Sequence, residues 1–350
     1  MKKLLLKGSV FMLYVILIEL VFPVLVDPFN VFHYEQLRVS GISPNSNYIK
    51  MKYILKHKDR FDGYSFMFGS SRVGYINPDK IPDNKHYNMT YSAGMPAEHL
   101  ANVKTFLKND IKPSRVYIGV DSYSYTNLVN RHIYEPGRCP YEYLCDDPLH
   151  FYSLYMNPAR TLQAIAVMFR RQLSETNVKN YYRVGTTVYY GAKSPSNWDK
   201  ALPSLGPAAS KDIPQSISNT LRDIQELSEV CRSSGIDLVI FTNPMHHITY
   251  RASLELGYFD FLEGLARISD FWNFSGLNDI TLSNDCYHET SHYKAEIGDM
   301  MIDAMCYGKA DPKLQAQGFG FRVTRENVKA FMNMLKHQAE SDRQKNSPAQ

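Results

Sequence analysis

The sequence has no CxxC pair and no spacing of His, Cys, Asp or Glu that would hold a metal ion. No metal and no cofactor is therefore expected. It also has no basic stripe interleaved with base-stacking aromatics. Its formal charge of +4 is too small to grip a polyanion by electrostatics alone, so no nucleic-acid partner is expected. No internal repeat is visible, which excludes solenoids and propellers. Behind the N-terminal apolar run there is no small-x-small cleavage site, since the segment ends PVLVDPFNVF. A cleaved signal peptide would need one.

What is present starts with that run. Lys2, Lys3 and Lys7 precede an apolar stretch from Gly8 to Val26, broken only by Glu19 and Pro23. Its length is close to what a bilayer-spanning helix needs, and the lysines ahead of it favour a cytoplasmic N-terminus. The expected location is the cytoplasmic membrane, crossed once, with the bulk of the chain periplasmic or extracellular. The 350 residues, 44% of them hydrophobic, suffice for one large domain or a domain with insertions. Tyrosine occurs 25 times, which fits a carbohydrate cleft and a tyrosine-rich core equally well. Cys139 and Cys145 lie close together in a Pro/Gly/Tyr-rich loop. A disulfide and two unpaired thiols are both open readings.

Beyond the anchor, short apolar runs alternate with helical periodicity. A short helix is expected from Tyr48 to His57. YSFMFG (Tyr64 to Gly69), HYNMTYSAG, RVYIGVD (Arg115 to Asp121) and DLVIFTNP (Asp237 to Pro244) read as buried strands. Helical spacing covers Ala97 to Asn109, Pro158 to Leu173, Ser216 to Ser234, Leu254 to Ile268 and Tyr293 to Met305. Strands alternating with helices predict an α/β fold with a parallel sheet. The pattern breaks from about 122 to 214, which reads as an insertion. A separate amphipathic helix is expected in TRENVKAFMNMLKHQAE, followed by a disordered SDRQKNSPAQ tail. The expected boundaries are 1–30 for the stub and anchor, 31–310 for the α/β domain, and 311–350 for the C-terminal helix and tail.

FMFGSSRVGY places Ser71 just past a buried strand, where open α/β sheets bind ligands. A serine needs a base within hydrogen-bond reach and a group to orient that base. ETSHY supplies both, as Glu289 and His292 just ahead of a core helix. Ser70 competes with Ser71, and Asp285/His288 competes with Glu289/His292. The backbones of Ser71 and Gly94 are candidate oxyanion donors. Arg72 offers a cation to an anionic substrate or to a structural ion pair. His246 and His247 offer a substrate contact or a solvated loop. The Tyr-rich YYRVGTTVYYGAKSPSNW offers sugar-stacking faces or an ordinary cap.

These motifs resemble the SGNH/GDSL hydrolase superfamily, and within it the membrane-anchored branch that includes DltD-like and alginate-acetylation proteins. The resemblance covers roughly Ser65 to Met305 without the insertion. Gly69-Ser70-Ser71 matches the first block, Gly94 the second, and Glu289-Thr290-Ser291-His292 the last, with Glu in place of Asp. The third block, G-x-N, reads Gly119-Val120-Asp121, and an ionised Asp cannot donate as Asn does. Asn88 and Asn243 are candidate substitutes.

The resemblance implies a flavodoxin-like three-layer fold, with Ser71 as nucleophile, His292 as base and Glu289 as its orienting group. Gly94, Asp121, Arg72 and Asn88 are the expected oxyanion or substrate-binding residues. It implies a serine esterase or O-acyltransferase acting on a cell-envelope or exported polysaccharide, beside a multi-spanning membrane acyl donor protein. The alternative expectation is a non-catalytic protein of this fold that binds polymer or partner proteins at the membrane.

Overall fold

The computed structural model describes residues 2–35, 42, 44–83, 85–126, 129–168, 181–194, 197–198, 200–205 and 212–346. The chain divides into two compact units. One comprises Met1–His57 with Asn130–Tyr182, the other Lys58–Val129 with Arg183–Gln350.

In the first unit, helix α1 (Lys2–Val26) has the length and composition to cross a membrane, with a mean hydropathy of 2.5. Signal sequences meet the same criterion. Asp27, at φ 47°, turns the chain as it leaves α1. Its carboxylate accepts N–H bonds from Val31 at 2.8 Å, Phe32 at 2.9 Å and His33 at 2.6 Å. Helix α2 (Ser46–Lys56) is capped by Asn45, whose side chain accepts from Tyr48 N at 3.1 Å. The Asn45 amide also donates to Cys139 O at 2.8 Å and Tyr155 Oη at 2.7 Å, which ties α2 to residues 94 and 110 positions away. The core is aromatic, with Phe29, Tyr48, Phe151, Tyr155 and Tyr182 buried together. The helix Pro158–Met168 packs along α1. The expected continuation to Leu173 lies outside the described residues. All five cysteines are free thiols, Cys139 buried and Cys145 exposed.

The second unit is α/β. Its strands are β1 (Ser65–Gly69), β2 (His86–Asn88), β3 (Arg115–Val120), β4 (Asp237–Thr242), β5 (Phe271–Asn273) and β6 (Phe321–Val323). They form one sheet in the order β2-β1-β3-β4-β5-β6. The first five pair in parallel, and β6 runs antiparallel to β5. Every residue of β1 is buried because both sheet faces are covered. Phe66 meets Phe106 of helix α3 (Pro96–Lys108) with ring centroids 4.5 Å apart. Met67 points the other way, as strand alternation requires, into a cluster with Tyr117, Phe241, Ile297 and Met301. Ile297 and Met301 belong to a helix on that face, Ala295–Tyr307.

Helix α4 (Ile213–Ser233) packs on α3 and on helix α5 (Tyr258–Ile268). Label α6 is given to Ala295–Tyr307, and α7 to the last helix, Val328–Asn346. Crossovers leave β1 toward β2 on one side and then return to β3 on the other. The sheet therefore reverses its winding between β1 and β3, which opens a crevice at their carboxyl ends.

Four expectations need correction. The sheet is mixed, not wholly parallel, because β6 adds to its edge. A three-residue strand carries too little hydrophobic period to be read from sequence. The described part of the C-terminal segment 311–350, through β6 and the last helix, belongs with the second unit, and 347–350 lie outside the described residues. Phe331, Met332 and Leu335 of α7 are buried in the second unit, and the helix runs on to Asn346, through much of the segment expected to be disordered. The helix expected from Leu254 to Ile268 starts four residues later, as Tyr258–Ile268, after Gly257 at φ 72°, and a separate helix, His247–Leu254, precedes it. The expected insertion is shared between the units. Its middle, Asn130–Tyr182, clusters with the N-terminal segment, and Arg183 onward clusters with the sheet. Part of the tyrosine content is core: Tyr87, Tyr117, Tyr125, Tyr250, Tyr258, Tyr287 and Tyr293 are almost wholly buried, while Tyr134, Tyr189 and Tyr190 are exposed.

Two glycines allow the loops after β1 and β2 to meet. Gly69 has φ 154°, and a Cβ there would sit 2.4 Å from Val73 Cγ2. A Cβ on Gly94 would sit 2.4 Å from the Gly69 carbonyl oxygen, which as backbone cannot rotate away. Gly94→Ala is expected to destabilise the protein by about 1–3 kcal/mol, as overpacking does. Urea unfolding measures it, and an unchanged midpoint would mean that the two loops do not depend on this close approach.

Candidate functional site

The site forms where β1 and β3 end. β1 stops at Gly69, Ser70 is extended (φ −67°, ψ 176°), and Ser71 opens a short 3₁₀ turn, Ser71–Tyr75. The first turn hydrogen bond is Val73 N to Ser70 O at 3.0 Å, so the Ser71 and Arg72 N–H groups precede it and have no acceptor within the turn. Asn88, at the end of β2, holds this turn from behind. Its amide donates to Val73 O at 2.8 Å and Ile76 O at 3.4 Å. Thr90 Oγ1 donates to Ser70 O at 2.5 Å.

The opposing loop, residues 286–294, is closed at its neck. His288 N bonds His292 O and Lys294 N bonds Cys286 O, both at 2.9 Å, and Tyr287 bridges Tyr293. The loop therefore presents Glu289 and His292 at its tip, directly ahead of α6.

Across the gap, Ser71 Oγ lies 2.8 Å from His292 Nε2. On the far side of the ring, His292 Nδ1 bonds Glu289 Oε1. The other Glu289 oxygen accepts from Ser291 N at 2.7 Å. A carboxylate on Nδ1 assigns the proton to that nitrogen, which leaves the Nε2 lone pair facing the serine hydroxyl. Partial burial alone would push the Glu289 carboxyl up. The hydrogen bond and charge of His292, the Ser291 N–H and the Arg72 guanidinium outweigh it and hold the group below the usual glutamate value. The imidazole thus keeps an ionised partner through the neutral range. Such a relay can take a proton from a hydroxyl and hold it as an imidazolium.

The rival assignments separate cleanly. Ser70 is buried and its hydroxyl donates to Asp121 Oδ2 at 2.9 Å, away from His292. No hydrogen bond or ion pair joins Asp285 to His288 among the described residues. The His288 ring instead lies 5.1 Å from Tyr75, and burial, then Lys294 and His292, lower its pKa.

The residues expected to touch substrate divide. Gly94 sits against the Gly69 carbonyl, and its N–H reaches Tyr91 O at 3.3 Å, long for a backbone bond. Arg72, Asp121 and Asn88 differ from expectation, because all three are fully buried. Asp121 accepts from Ser70 Oγ, from Asn243 Nδ2 at 2.9 Å and from Tyr123 N at 2.8 Å, and it pairs with Arg72 Nη1 at 2.8 Å. A cation and three donors occupy the oxygens of this side chain as acceptors, turned inward from the site. Asn243 is likewise turned inward, onto Asp121.

His246 and His247 form neither a solvated loop nor an open contact. His246 is buried beneath a parallel Trp198 ring 4.8 Å away, with Nε2 2.9 Å from Asn284 Oδ1. His247 Nδ1 accepts from Arg251 at 2.7 Å, and burial, with the neighbouring His246 and Arg251, lowers its pKa to about 4. Among the described residues no cluster of three or more His, Cys, Asp or Glu side chains could hold a metal ion.

Sequence reading missed the neighbours that brace the site. Tyr75 lies with its ring 5.4 Å from that of His292. The irregular segment that begins at Arg183 ties both loops. Thr186 Oγ1 donates to Gly74 O at 2.9 Å, and Ser194 Oγ donates to Tyr287 O at 3.0 Å. Leu202 O accepts from Thr290 Oγ1 at 2.7 Å, and Ser204 O accepts from Arg72 Nη2 at 3.2 Å. Most of these bonds use backbone oxygens, which leave no mark in residue type or spacing.

No protein-family model matches this chain, and no curated protein matches it.

Proposed function

We propose that the chain is a membrane-anchored serine enzyme of SGNH type, an ester hydrolase or O-acyltransferase. The observation that carries this reading is the Ser71 Oγ–His292 Nε2 contact of 2.8 Å with Glu289 on the opposite ring nitrogen. Support also comes from its place at the winding reversal between β1 and β3. The order 2-1-3-4-5 of the parallel strands, with helices on both faces, is the order of a flavodoxin-like three-layer fold.

In the proposed reaction His292 Nε2 takes the Ser71 proton as Oγ bonds the ester carbonyl carbon. The tetrahedral oxyanion is met by backbone N–H groups, for which Ser71 N, free of an acceptor within its turn, is the first candidate. His292 returns the proton to the departing alkoxide, leaving an acyl-serine. Water or a sugar hydroxyl then attacks the acyl carbon and gives its proton to His292, which passes it to Ser71 Oγ as that oxygen leaves. Glu289 stabilises the imidazolium in both halves.

The triad suits a bulky acyl acceptor such as a polysaccharide of the envelope or of an exported polymer. Ser71 is only partly buried, and the side chains of His292 and Glu289 are 26% and 50% exposed. Helix α1, read as a single-pass anchor with its N-terminus in the cytoplasm, would hold the domain on the periplasmic or outer face. There a multi-spanning membrane protein could supply the acyl group. One observation favours a second reading, a non-catalytic polymer- or protein-binding member of the fold: Asp121 stands where an amide donor to the oxyanion would be expected.

Intact-mass measurement of the detergent-solubilised full chain after fluorophosphonate treatment separates the two. A single covalent adduct is expected. A folded protein that takes up none would overturn the enzyme reading in favour of the binding one.

A further inference from the structure

We infer that Arg72 is the positioning residue of this site: its guanidinium locks the residue before the serine to the residue before the histidine. The inference rests on the serine–histidine reading above. Arg72 is completely buried, so it touches no substrate. Each of its nitrogens has a different task. Nε donates to Ser291 O at 2.9 Å, and Ser291 directly precedes His292. Nη1 pairs with Asp121 Oδ1 at 2.8 Å, and the other oxygen of Asp121 holds the hydroxyl of Ser70, which directly precedes Ser71. Nη2 donates to Ser204 O at 3.2 Å. The plane of the fork lies over the Tyr123 ring, 4.6 Å from its centroid, and the Tyr123 hydroxyl reaches Ser204 Oγ at 2.9 Å.

Ser71 and His292 are 221 positions apart, yet Arg72 directly follows Ser71 in the chain and its guanidinium reaches the residue before His292, while Asp121 ties the same guanidinium to Ser70 on the other side of the serine. Nε and Nη2 are directed donors to the two carbonyls, while Nη1 holds the carboxylate by charge, its N–H not aimed for a hydrogen bond. A lysine ammonium is a point charge without that geometry. Asp121 is thus accounted for. It orients the guanidinium and the Ser70 hydroxyl, and contributes nothing directly to the oxyanion.

The test is Arg72→Lys in the full chain. It is assayed by hydrolysis of p-nitrophenyl acetate and by the rate of fluorophosphonate labelling, at a temperature where circular dichroism shows the variant folded. Displacing the histidine loop by about an ångström is expected to lower kcat and the labelling rate by roughly 10²-fold with KM little changed. Arg72→Ala is expected to regain part of its kcat in methylguanidinium but none in methylammonium. A purely stabilising role would move the melting temperature alone. If neither Arg72 variant folds, Tyr123→Ala takes its place. It removes the ring under the guanidinium, and a lowered kcat at unchanged KM is expected. Unchanged kcat and labelling in a folded variant, while the unmodified chain reacts, would overturn the positioning role. Failure of the unmodified chain to label would remove the serine reading itself, and this inference with it.

Discussion

Ser71→Ala is expected to abolish the fluorophosphonate adduct and to lower ester turnover by about 10⁶-fold, the scale seen when a triad serine or histidine is removed. The alanine leaves His292 and Glu289 in place but gives the imidazole nothing to deprotonate. Ser70→Ala is the informative companion. It deletes one hydrogen bond to Asp121 inside a buried network that retains Asn243, Tyr123 N and Arg72 on the same carboxylate. The cost is about 1 kcal/mol of stability, and the adduct persists. Intact mass and a thermal melt on the two variants decide the matter. An adduct on the Ser71 variant, or its loss from a folded Ser70 variant, would reverse the assignment of the nucleophile.

Asp121→Asn should produce the largest loss of stability. The substitution restores the residue that the G-x-N pattern calls for, and on pattern alone it would be expected to improve the site. The environment argues the opposite. Arg72 and Asp121 are both fully buried, and removing the negative charge leaves a guanidinium without its counter-ion. Breaking a buried pair from one side costs about 3–5 kcal/mol. In a domain of this size that is a fall of roughly 6–20 °C in melting temperature. Replacing both partners with apolar residues of similar volume should cost less than Asp121→Asn alone, because no charge is then stranded. A melting temperature within a degree or two of the unmodified chain for Asp121→Asn would contradict the role given to this pair.

Much of the α/β core was legible before any coordinates. β1, β3 and β4 are continuous apolar runs, and buried parallel strands need no alternation. α3, α4 and α6 show one apolar face each. Their ends missed by only a few residues, because caps such as Asp212, which accepts from Gln215 N at 3.0 Å, depend on local geometry. β6 and the break at Gly257 were not legible. A three-residue edge strand has no period, and a single glycine inside an apolar pattern does not by itself mark a break. The apolar face of α7 was visible in Val328, Phe331, Met332 and Leu335, but not the core it packs on.

The candidate site divides in the same way. Ser71, His292 and Glu289 were readable because each follows from short-range rules: a strand, a glycine stop, and a carboxylate spaced to meet an imidazole. The choice of Ser71 over Ser70 and of His292 over His288 gained its geometric basis only from the 2.8 Å contact across the sheet crevice. Arg72 was read as a possible hand for substrate because a cation beside a serine suggests one. The folded chain turns it inward, where Asp121 and two carbonyls outbid solvent.

The sequence by itself determined that an apolar helix leads the chain, that the body is α/β, and that a serine stands at the end of one strand and a histidine before a late helix. These follow from local periodicity, helix and strand preference, and chain order. Only the tertiary structure decided which polar atoms meet. Ser71 with His292, Arg72 with Ser291 and Asp121, and the segment from Arg183 with both loops are pairings over tens to hundreds of residues. They arise because a buried donor or acceptor left unpaired is costly, so packing forces partners together that no spacing rule in the sequence records.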